Sequence, residues 1–196
     1  MHRTRPLRLR VHSALRWLHV YTSMTSLLVV LFFAVTGITL NHPDWLAGES
    51  TTEYSGRLPA GWKTPSGVDW MIVTEHLRGA HGVHGSVADR RADDTEGSVT
   101  FKAPGYAADC FFSMADGSYQ LTVASQGAIG WLNDLHRGRD AGGAWAWLID
   151  VSGVFLALLS VTGLGLLVYL KKLRVSALLT LAAGCALTIV LMKLAG

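Results

Sequence analysis

Acidic residues are confined to the middle of this chain: none precedes Asp44 and none follows Asp150. The N-terminal tail and the short stretch 171–174 are left basic with no acid, which by the bias of Lys and Arg toward the cytoplasm excludes them from an exported face. Cysteine is almost missing, with only Cys110 and Cys185, so a disulfide framework or a cysteine-based metal site is not implied. No P-loop, dinucleotide fingerprint, GxSxG or HExxH occurs, and nucleotide, flavin and hydrolase chemistry lack support. Histidine is absent beyond His136, which excludes a bis-imidazole haem site buried at mid-membrane between later helices.

Long uncharged runs are present instead. Residues 20–40, 151–170 and 175–192 carry no charge, and each is about the length an α-helix needs to cross a bilayer core. Half of the 196 residues are apolar, mean hydropathy is +0.32 and there are seven tryptophans, of which Trp145 and Trp147 sit where an interfacial aromatic belt precedes the second run. The expected fold class is an integral membrane α-helical protein with three transmembrane helices and a small exported α+β domain.

Charge orients the spans. Arg3, Arg5, Arg8, Arg10 and Arg16 precede the first run, and Lys171, Lys172 and Arg174 lie between the last two, all without an acid nearby. The expected order is a cytoplasmic basic tail (1–18), a first span (19–41), an exported domain (42–145), a second span (146–170), a cytoplasmic link (171–174) and a third span (175–194). The first run exceeds a signal-peptide core and lacks an A-x-A-like site after it, so it reads as a retained anchor. A basic tail abutting a span is explained by topology and gives no reason to expect a nucleic-acid partner. The exported segment holds thirteen acidic and eight basic residues, so the face that meets external solutes is acidic although the chain's pI is near 9.0.

On the first span, His19, Ser23, Ser26, Val30, Phe33 and Gly37 fall on one helical stripe, mostly of small residues that let another helix or a flat cofactor approach. Val35-Thr36-Gly37-Ile38 there and Val161-Thr162-Gly163-Leu164 in the second span form a faint repeat. In the exported segment, residues 66–80 read as an amphipathic helix with Ser66 as N-cap, Asp69 completing a capping box and Gly79 as stop. Residues 98–103, 109–113 and 118–123 read as strands of a small antiparallel sheet.

The chemistry available is that of eight histidines: His2, His12, His19, His42, His76, His81, His84 and His136. His19 and His42 bracket the first uncharged run, about 35 Å apart at 1.5 Å per residue, and so face opposite compartments. Any haem therefore sits near a surface. His42 and His136 both adjoin helix ends on the exported side, where they either ligate haem iron or act as interfacial hydrogen-bonding groups, with Arg137 and Arg139 in reach of propionates. His19 lacks an obvious partner beyond His12 or His2, and a symmetric dimer would supply one. His76, His81 and His84 form a second group; His81 and His84 can share a metal, or all three are ordinary surface histidines.

Leu18-His19, Thr36-Gly37, Asn41-His42-Pro43-Asp44-Trp45, Pro104-Gly105-Tyr106-Ala107-Ala108-Asp109 and Asn133-Asp134-Leu135-His136-Arg137-Gly138-Arg139 together resemble the PepSY-associated transmembrane helix family, in its short three-span form. That resemblance implies a bacterial inner-membrane protein with a cytoplasmic N-terminus and a periplasmic PepSY-like domain. It further implies haem b held by histidines at the ends of the spanning helices, with His42, His136 and His19 as the matching positions; one haem per chain is expected from the exported pair, and a second where a homodimer would bring two copies of His19 together. The activity implied is that of a haem-dependent ferric reductase, passing single electrons to ferric iron or a ferric siderophore; membrane quinol is the expected donor, since no domain binds NADH or flavin. Two rival readings stand beside it: a non-catalytic, membrane-tethered PepSY regulator that restrains a protease or other partner, and a periplasmic metal-binding accessory using His76, His81 and His84.

Overall fold

The computed structural model describes residues 6–45 and 48–196. His2, Arg3 and Arg5 lie outside the described residues. Along the chain come helix α1 (Leu7–Leu40), a 3-10 turn (Pro43–Trp45), strands β1 (Ser50–Arg57), β2 (Lys63–Thr64) and β3 (Gly67–Val68), and helix α2 (Trp70–His81). Strands β4 (Ser86–Ala92), β5 (Glu96–Ala103), β6 (Tyr106–Ser113) and β7 (Ser118–Ser125) follow, then helices α3 (Gly127–Arg137), α4 (Gly142–Leu167) and α5 (Arg174–Ala195). Two compact units result, one of residues up to 31 with 150–196, the other of residues 32–149.

Helices α1, α4 and α5 are each long and apolar enough to cross a membrane. Their unit inverts the pattern of a water-soluble core: Thr22, Ser26, Ser152 and Thr162 are buried, whereas Leu27, Leu28, Leu31, Val161 and Leu164 are exposed. This is the arrangement expected where the surrounding solvent is lipid, because apolar surface costs nothing there and small polar residues permit close helix contact. The buried hydroxyls spend their protons on the helix itself: Ser26 donates to Thr22 O at 2.7 Å and Thr162 to Leu158 O at 2.7 Å. In α5 no residue is buried.

The second unit is built on a five-stranded antiparallel sheet in the order β1-β7-β6-β5-β4. Its buried residues alternate along each central strand, and their register brings them opposite one another: Val99 pairs Cys110, Phe101 pairs Ala108, and Cys110 pairs Leu121. Val73 and Leu77 of α2 join this core. Two register pairs set an aromatic ring over a glycine, Gly97 with Phe112 and Gly56 with Tyr119. A Cβ at Gly97 would clash with the Phe112 ring, so the ring fills the space that a side chain would take.

The expected helix over residues 66–80 is corrected at both ends. Asp69 is itself the N-cap, accepting from Met71 N at 3.0 Å and Ile72 N at 3.2 Å, because Ser66 is taken up in the β2–β3 turn, where its hydroxyl meets Thr64 Oγ1 at 2.9 Å. Gly82, with φ of 65°, ends the helix in place of Gly79. The three expected strands lie within β5, β6 and β7, but β1 and β4 are additional. Both are edge strands in which every residue is exposed, so neither carries the apolar alternation by which a strand is recognised.

Candidate functional site

Helix α3 carries the Asn133-to-Arg139 segment, and nearly every polar group in it is tied to a different element. Asn133 Oδ1 lies 2.6 Å from Thr39 Oγ1 of α1. The buried Asp134 carboxylate accepts the Gly105 N–H from the β5–β6 turn at 2.8 Å and the Arg139 Nε–H at 2.8 Å. Leu135 O accepts the Trp145 indole N–H of α4 at 2.7 Å. Gly138, with φ of 68°, then turns the chain in the left-handed region that only glycine enters freely.

His136 stands in the last turn of this braced helix. Its Nδ1 lies 2.6 Å from Thr36 Oγ1, its ring meets Phe33 edge-on at 5.0 Å between centroids, and its Cε1 would lie 3.6 Å from a Cβ at Gly37. Phe33 and Gly37 belong to the stripe read from the sequence, and every member of that stripe is buried or half-buried. Desolvation, and then the neighbouring Arg137 charge, hold the His136 imidazole below its ordinary pKa. It is thereby kept neutral at physiological pH, the state in which an imidazole binds a metal or haem iron.

The other residues singled out from sequence are placed as follows. His42 stacks on Trp45 at 4.3 Å with the rings nearly parallel, and neither a hydrogen bond nor a ring contact joins it to His136 among the described residues. Arg137 is exposed, whereas Arg139 is held by Asp134. In the helical unit, His19 Nδ1 lies 2.9 Å from Thr162 Oγ1 and its Cε1 would lie 3.3 Å from a Cβ at Gly163; His12 stacks at a tilt on Tyr169, 4.8 Å away.

His81 and His84 go to different neighbours. His81 Nε2 bonds the Tyr119 hydroxyl at 2.7 Å, with His76 Nε2 at 3.4 Å from the same oxygen, while His84 stacks on Tyr106 at 3.7 Å. Among the described residues no three His, Cys, Asp or Glu side chains are grouped to hold a metal ion. In this structure His81 and His84 thus rest against different tyrosines, Tyr119 and Tyr106.

A family model described as PepSY_TM-like matches residues 13–195. The chain belongs to the PepSY_TM-like family. No curated protein and no solved structure matches it. This PepSY_TM-like chain is thus a membrane protein by its three apolar helices, carrying a small antiparallel sheet domain. Sequence reasoning singles out His136 but passes over Asn133, Asp134 and Trp145 as the groups that position it. The available signal was an Asn-Asp pair inside an otherwise apolar turn, where side chains so costly to bury are there to bond the backbone or a neighbour.

Proposed function

We propose that this PepSY_TM-like protein binds haem b at His136 and passes single electrons from membrane quinol to ferric iron, free or held by a siderophore, on the periplasmic side of a bacterial inner membrane. The observation that carries the reading is the state of His136. Its ring is half-buried and neutral, it is fixed through Nδ1 to Thr36, and its Nε2 has no hydrogen-bond partner among the described residues. A nitrogen with a free lone pair, on an imidazole fixed at its other nitrogen, fits an axial ligand.

His42 is the proposed second ligand on this side and Arg137 the proposed partner of a propionate; Arg139 serves Asp134 instead. His19 is the proposed ligand for a second haem at a homodimer interface. When bound, haem supplies a one-electron Fe3+/Fe2+ couple. The chain's own part is to orient the imidazoles, to exclude water around His136 through Phe33, and to present an acidic exported segment that favours cationic iron over anionic complexes.

The test is a visible spectrum of the detergent-purified protein before and after dithionite. Sharpened α and β bands on reduction, followed by reoxidation on adding Fe3+, support the reading. A colourless protein from haem-replete cells overturns it in favour of the tethered regulator.

A further inference from the structure

The repeated Val-Thr-Gly segments acquire a shared geometry. Thr36 and Thr162 are both buried, each hydroxyl touches the Nδ1 of a histidine from another helix, and the glycine that follows each threonine lies against that histidine's Cε1. Two short stretches of similar sequence thus build two similar sockets, one for His136 and one for His19.

The hydrogen bonds decide where the imidazole proton sits. Thr36 Oγ1 is 2.6 Å from Phe32 O, and Thr162 Oγ1 is 2.7 Å from Leu158 O. Two oxygens at that separation repel unless a proton lies between them, and a carbonyl brings none, so each hydroxyl proton points at the carbonyl four residues back. The threonine oxygen then has only lone pairs to offer. A nitrogen 2.6 Å or 2.9 Å away from it must be the donor, so Nδ1 carries the hydrogen and Nε2 carries the lone pair.

We infer that Thr36 and Thr162 are positioning residues that lock His136 and His19 in the Nδ1–H tautomer, presenting Nε2 as a ready ligand. The tautomer stands on the hydrogen bonds alone; its use for iron rests on the haem reading. A hydroxyl whose proton is already committed is a one-way acceptor, which a freely rotating hydroxyl is not. The glycine beside it removes the side chain that would otherwise crowd the ring.

The experiment is 15N NMR of the haem-free, detergent-solubilised full chain with labelled histidine, His136 and His19 being assigned by the His136→Gln and His19→Gln proteins. The expected result is a protonated Nδ1 and an unprotonated Nε2 at both residues. Thr36→Val should return His136 to the Nε2–H form that free histidine prefers and leave His19 unchanged, Thr162→Val should do the reverse, and Thr36→Ser should behave as wild type. Where haem is bound, Thr36→Val should weaken it by about 10- to 100-fold. Nε2–H at both histidines in the wild-type protein, or an unmoved Nδ1–H in Thr36→Val, overturns the inference. Should one valine variant fail to fold, the other socket gives the same comparison. A colourless protein with the Nδ1–H tautomer intact would defeat the haem reading and leave this one standing.

Discussion

Asp134 accepts the backbone N–H of Gly105 at 2.8 Å, joining the helix that carries His136 to the turn between two central strands. A Cβ at Gly105 would lie 2.7 Å from Trp131 N, so the turn approaches α3 as closely as backbone allows. The Pro104-Gly105-Tyr106 and Asn133-to-Arg139 segments, about thirty residues apart in the sequence, are two halves of one contact.

Removing that carboxylate should therefore cost more than an ordinary surface change. Asp134→Ala leaves the Gly105 N–H without its acceptor and Arg139 without its partner. Hydrogen bonds to charged groups contribute about 1.5–3 kcal/mol each, so a loss of roughly 3 kcal/mol is expected. Thermal unfolding in detergent measures it. An unchanged Tm would mean that the contact does not brace α3.

Glycine substitutions should separate by their surroundings. Gly97→Ala puts a methyl group into the fully buried Phe112 ring and should destabilise by about 1–3 kcal/mol. At Gly79, exposed on α2, a Cβ meets nothing within 4 Å, and Gly79→Ala should stabilise by about 0.5–1 kcal/mol through helix propensity. Urea or thermal melts of the two proteins decide: undiminished stability in Gly97→Ala would contradict the glycine-and-ring packing of β5 and β6, and a loss in Gly79→Ala would contradict the propensity argument for α2.

Cys110 should be chemically silent. Its thiol is buried between strands and burial pushes its pKa up to about 12, so at pH 8 only about one molecule in ten thousand is thiolate. A soluble maleimide should label the native Cys185→Ser protein only as fast as the sheet opens. Prompt labelling would show that the core is not closed over it.

Acid should loosen the hairpin turns first. Asp93 accepts from Glu96 N at 2.8 Å, Thr95 N at 2.7 Å and the Thr95 hydroxyl at 2.8 Å, and these bonds hold its carboxyl below the usual carboxylate range. Asp116 is held low in the same way, mainly by the Ser118 hydroxyl and N–H. Because the folded value is depressed, their contribution is complete above the ordinary carboxylate pKa of about 3.9 and is lost as pH falls through the folded value. Asp93→Asn should narrow the difference in Tm between pH 7 and pH 3, and an undiminished difference would show that the turn does not sense acid.

The spans were the most legible part of the sequence, because an uncharged run of twenty residues has few other uses. The central strands were legible through their apolar alternation, and β1 and β4 were hidden because edge strands with both faces in solvent carry no such period. Helix α3 was hidden in the sequence, since the residue at its N-cap, Gln126, makes no side-chain cap and Gly127 and Gly130 weaken its helical pattern. At the site, residue types announced His136 and His19 while their partners did not announce themselves. A threonine inside an apolar span is an unremarkable residue until the fold sets an imidazole against it.

The most direct test of the central claim is haem content per chain in the wild-type and His136→Gln proteins, purified side by side and matched for fold by circular dichroism. The account predicts haem in the wild type and its loss, wholly or down to one remaining site at His19, in His136→Gln. Equal haem in both proteins, or none in either, would contradict it.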